Sequence, residues 1–133
     1  MTTATPDGTN SAEMAGRCAL VTGAGSGIGL AVARVLAERG ARVAGVVQHA
    51  AQADVLRQAA PSAVVLEQDL LDDAATAELP ARAARALGGL DALACCAGIF
   101  YKKGSDDTTL EEWLGIAASP ATMAAKMERR IAK

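Results

Sequence analysis

With 133 residues, half of them apolar, and a net charge of −2, the chain has the makeup of one globular domain and not of a disordered or fibrous segment. No acidic or basic block would draw it to nucleic acid, and no apolar run is long enough to span a bilayer. One Trp, one Tyr and one Phe leave the core to Leu, Val, Ile and Ala.

Residues 1–13 are polar and carry no basic group, so they read as a flexible tail and not as a signal peptide, with the folded domain covering 14–133. Without a secretory signal, Cys18, Cys95 and Cys96 are expected to be reduced, in a cytoplasmic protein. "RCALVTG" predicts a first strand ending in glycine. Ile28, Val32, Val35 and Leu36 then recur at helical spacing until Gly40 stops the helix. "ARVAGVV" is a second strand, "AAQADVLRQAA" a short helix closed by Pro61, and Ala63 to Leu66 a third strand. Asp72 and Asp73 can cap a helix that runs to Gly88 and Gly89, with a kink or a late start at Pro80. "LDALACCAG" is a fourth strand, and Thr108 with Glu111 forms a capping-box signature for one more helix.

Strands and helices alternate, and the strands are continuous apolar runs, as when helices cover both faces of a parallel sheet. The expected fold is a doubly wound α/β domain of about four strands. The joint between the first strand and first helix, "TGAGSGIG", is where chemistry concentrates. A helix N-terminus offers free N–H groups and a partial positive charge, and glycines let a phosphate approach the backbone. The spacing from Gly23 is G-x-x-x-G-x-G, through Gly27 and Gly29, and not G-x-G-x-x-G.

Here the chain resembles the short-chain dehydrogenase/reductase family, whose hallmark is TGxxxGxG at this joint. "QDLLD" after the third strand, "CAG" (Cys96 to Gly98) after the fourth and "TLEEW" at the next helix match further family motifs in order, so the resemblance covers about residues 15–114. It implies a Rossmann fold binding NAD or NADP. Gly23, Gly27 and Gly29 would shape the pyrophosphate turn, with Ser26 and Ile28 against it through their backbone. Asp69 would accept a hydrogen bond from the adenine amino group beside the Leu70 N–H, and Gly98 would let the backbone pass close to the ribose. Gly27→Val and Gly29→Val are both expected to act by blocking the nucleotide.

The chain departs from the family in three places. Val47 stands where a carboxylate would hold the ribose, Gln48 follows it, and no basic residue stands in for NADP, so the choice between the two cofactors stays open. His49 could touch a phosphate there, although a lone His at a strand end is commonly incidental. Cys95 and Cys96 replace two asparagines, which should weaken a polar brace around the cofactor; no His or further Cys cluster makes a metal site of them.

The third departure concerns catalysis. Family members use a tyrosine with a lysine four residues later, the lysine's charge lowering the tyrosine's pKa. The only tyrosine here, Tyr101, has Ser105 at that place and Lys102 and Lys103 directly beside it, and Pro120 fills the slot of the family asparagine. No catalytic residue is assigned, and the chain alone is expected to be inactive. The last stretch, "ATMAAKMERRIAK", reads as a solvated terminal helix. Three readings follow. The chain is the dinucleotide-binding half of an oxidoreductase, acting on a small carbonyl or alcohol only when completed by further segments. It is an active enzyme of unfamiliar design. Or it is an interaction module that self-associates through the free edge of its fourth strand.

Overall fold

The computed structural model describes residues 13–97. Four apolar runs form strands, β1 (Cys18–Thr22), β2 (Arg42–Val47), β3 (Val64–Glu67) and β4 (Ala92–Cys95). Between them lie α1 (Gly27–Glu38), α2 (Ala50–Ala59) and α3 (Asp73–Leu87). All three strand pairings are parallel, in the order β3-β2-β1-β4. The register pairs Cys18 with Arg42, Ala19 with Ala92 and Ala44 with Val64.

Side chains alternate across each strand, and both faces are covered. Val21, Val43 and Val47 pack with Ala33 of α1 and with Ala53 and Leu56 of α2. Leu20, Ala44 and Val46 pack with Leu79, Ala83 and Leu87 of α3 on the other face. That is why β1 is buried along its whole length and reads as an unbroken apolar run. Gly45 lets α2 settle on β2, because a Cβ there would lie 2.5 Å from Leu56 Cδ2 and 2.9 Å from Ala24 Cβ. The register of β1 is further held by Asp91, whose carboxylate accepts the Cys18 N–H at 2.8 Å.

The helix ends follow the expected chemistry. Gly40 takes φ 94° after α1. Its N–H donates to Ala37 O at 3.1 Å, and the Ala41 N–H donates to Leu36 O at 3.0 Å; the pair is a Schellman stop. Asp72 caps α3 by accepting the Ala75 N–H at 3.1 Å, and Gly88 ends that helix at φ 84°. The late start expected at Pro80 does not occur. Capped by Asp72, α3 begins at Asp73 and runs through a buried Pro80 to Leu87. No helix among the described residues is long and apolar enough to cross a membrane. The capping box at Thr108, the segment around Tyr101 and the helix expected near the C-terminus lie outside the described residues.

Candidate functional site

A cavity of about 340 Å³ opens at the carboxyl ends of all four strands. Gly23, Gly25 and Ser26 to Ile28 form the wall that follows β1, and Val46 to Gln48 the wall that ends β2. Gln68 to Leu71 come from beyond β3, and Cys96 and Ala97 from beyond β4. The chain leaves β1 toward β2 on one side while β4 pairs on the other. The cavity therefore sits where the strand order reverses, the crevice in which open α/β sheets hold ligands.

The glycine turn is shaped from three directions. Gly23 has φ 66°, and a Cβ on it would come within 2.7 Å of the Ala97 amide nitrogen, so both conformation and crowding require glycine. Gly29 is buried behind the turn, where a Cβ would run into the Gly23 carbonyl group and come within 3.1 Å of Cys96 Cβ. It does not line the cavity. A side chain at Gly29 would therefore displace the turn itself. Gly27 is the opposite case, with φ 53° and nothing within 4 Å of its Cβ position.

Above Gly27 the first turn of α1 is left open. Ser26 occupies the N-cap position but makes no side-chain cap, and the first turn holds no acidic residue. The leading N–H groups and the positive end of the dipole thus have no side-chain acceptor from the cap.

Thr22 was not among the expected site residues. Its side chain is buried, and Oγ1 accepts the amide N–H groups of Cys96 at 3.2 Å and Ala97 at 3.3 Å. The brace across the crevice is therefore made by a threonine hydroxyl and the main chain. Cysteine at 96 costs this brace nothing, because the bonded group is its backbone. All three cysteines are unbridged, and Cys96 lines the cavity. The place of Thr22, one residue before the first glycine, is the signal that could have found it.

On the β2 side, Gln48 lines the cavity, and so does Gln52, which was not among the expected site residues. The Gln52 carboxamide oxygen accepts the Gln48 N–H at 2.9 Å. Its side chain lies on the glycine turn, for a Cβ at Gly25 would meet Gln52 Cβ and come within 2.9 Å of its Cγ. His49 is the exposed N-cap of α2 and is not part of the lining.

Asp69 and Leu70 stand in a tight turn after β3. Asp69 Oδ1 accepts the Leu71 N–H at 3.0 Å, and the Asp69 carbonyl accepts the Asp72 N–H at 3.1 Å. The Leu70 carbonyl takes the hydroxyl of buried Thr76 at 3.0 Å, which anchors the turn to α3. Arg82 donates to Gln68 Oε1 at 3.3 Å from the same helix. Among the described residues no Lys, Arg or His lines the cavity, and its one carboxylate is Asp69. Gly98 lies outside the described residues. No group of three or more His, Cys, Asp or Glu among the described residues could hold a metal ion.

Residues 17–124 match the family model described as short chain dehydrogenase. Cis-4-hydroxycyclohexanecarboxylate dehydrogenase of Sinomonas cyclohexanicum is 49% identical over 90 residues, which are 65% of this chain and 36% of that protein. Versicolorin reductase 1 of Aspergillus parasiticus is 39% identical over 103 residues, 74% of this chain and 39% of that one. Among solved structures, a short chain dehydrogenase from Burkholderia cenocepacia in complex with NADP superposes with a TM-score of 0.82 at 32% identity, over 90% of this chain and 51% of that one. The chain spans less than half the length of these two curated relatives.

Proposed function

The chain belongs to the short-chain dehydrogenase family, and from that premise we propose that it holds NAD or NADP in the crevice, with the diphosphate against the start of α1. One observation carries this reading: at Gly27, the first residue of a helix that no side chain caps, a Cβ would meet only open space. Gly23, Ser26, Gly27 and Ile28 would surround the diphosphate through their backbone, and Gly29 would hold the turn from behind. Gln48 would lie beside the adenosine ribose. The Asp69 carboxylate, with one oxygen on Leu71 N–H, keeps lone pairs for the adenine amino group next to the Leu70 amide. Gly98 is assigned by resemblance to the passage along the ribose.

When bound, the nicotinamide supplies hydride chemistry. The chain's own residues bind and orient; none is assigned a proton-transfer role, since the one tyrosine, Tyr101, is followed four positions later by Ser105. Oxidoreduction of a small alcohol or carbonyl compound is proposed only for a protein whose further segments bring a proton donor to this crevice. The unbridged thiols suit a reducing compartment such as the cytoplasm.

Titration of the 133-residue chain with NADH, followed by cofactor fluorescence, tests the reading. Saturable enhancement that ADP-ribose competes away is expected, with no NADH consumption when carbonyl compounds are added. No enhancement contradicts the assignment of the site, and steady NADH oxidation contradicts the assignment of an inactive chain. Self-association through the edge of β4 is kept as the second reading, on the general ground that an unpaired strand edge invites another chain. Light scattering over a range of concentrations tests it, and a monomer at every concentration removes it.

A further inference from the structure

We propose that Gln52, in the first turn of α2, reads the 2′ position of the bound dinucleotide and selects NAD(H) over NADP(H). The inference rests on the cofactor reading above. The diphosphate at the start of α1 and the adenine at the Asp69 turn leave the connecting ribose to cross between the glycine turn and the end of β2. Gln52 lies at that crossing. Its side chain rests on Gly25, where a Cβ would come within 3.0 Å of its Cδ, and its oxygen takes the Gln48 N–H at 2.9 Å.

Two consequences follow from this bond. The Gln48 amide, a donor that a 2′-phosphate could use, is already engaged. With its oxygen held, the carboxamide offers its two remaining N–H donors, which suit the oxygen of a neutral hydroxyl. A 2′-phosphate would add nearly two negative charges to a cavity whose described lining has no cation and already holds the Asp69 carboxylate. Val47, at the end of β2, brings no group of its own to the ribose. The choice between the cofactors therefore passes from the strand end to the helix that follows.

The test is parallel titration of the full chain and two variants with NADH and NADPH. The wild type is expected to bind NADH about tenfold more tightly. Gln52→Glu keeps the shape of the side chain and adds a charge, and should widen the ratio to about a hundredfold. Gln52→Arg supplies the missing cation and should bring the ratio to about one or reverse it. Unchanged thermal melting of both variants shows that they remain folded. Equal affinities in the wild type, or a ratio that neither substitution moves while both nucleotides bind, overturns the role of Gln52 and leaves the site standing. Failure of the wild type to bind either nucleotide overturns the site and this inference together.

Discussion

The starts of α1 and α3 solve the same problem in opposite ways. Each helix leaves its first N–H groups without helical partners. At α3 the chain answers from within: Asp72 accepts the Ala75 N–H at 3.1 Å, and Asp73 puts a negative charge in the first turn. At α1 the cap position holds Ser26, as suitable a capping residue as any, yet its hydroxyl makes no cap bond and no acidic residue follows. Missing caps alone do not define a site, since α2 also starts without one, at His49. Both bare starts border the cavity, α2 through Gln48 and Gln52; what sets α1 apart is that it opens on a glycine whose Cβ position is empty. One helix has spent its N-terminus on its own stability; the other has kept it available.

Substitutions at the two starts can break or sharpen this contrast. The largest effect is expected at Gly29, where any side chain collides with the Gly23 backbone. Gly29→Val should cost about 3 kcal/mol of stability in urea denaturation, the upper part of the overpacking range, and lose NADH binding as a consequence. Gly27→Ala should cost only about 1–2 kcal/mol, the penalty for an alanine at φ 53°. It should still weaken NADH binding at least tenfold, because its methyl group enters the cradle. If the two variants lose stability equally, the division between a structural and a ligand-facing glycine is wrong.

Smaller effects distinguish the caps. Asp72→Ala should lower stability by about 1 kcal/mol and leave NADH affinity unchanged. Ser26→Ala removes a hydroxyl that caps nothing, so stability in urea denaturation should change by no more than about a few tenths of a kcal/mol. A loss at Ser26 as large as that at Asp72 would mean that α1 is capped by its own chain after all.

The layout of the fold was legible because each decisive signal is local. Buried parallel strands show as apolar runs, the Gly40 and Gly88 stops lie in sequence where the helices end, and Asp72 stands just ahead of the helix it caps. The glycine turn was legible for the same reason. Of the two outcomes expected at Pro80, the late start fails because a helix capped by Asp72 starts seven residues before it, with the proline buried within that helix. The roles of Thr22, Gln52 and Gly29 depend on segments far apart in the chain. Thr22 reaches amides 74 and 75 positions away. Gln52 is read only once α2 has folded back over Gly25. Gly23, Gly27 and Gly29 were grouped as shaping one turn because spacing cannot say on which side of a turn a glycine is crowded.

The most direct test follows backbone amides by nitrogen–proton NMR while NADH is added to the full chain. Resonances of Gly27, Ile28 and Gly29 at the open start of α1 are predicted to shift progressively to saturation, with those of Asp73 to Ala75 at the self-capped start of α3 unmoved. Saturating NADH that leaves the α1 amides in place, or shifts both helix starts alike, would contradict the claim that α1 keeps its N-terminus for a diphosphate.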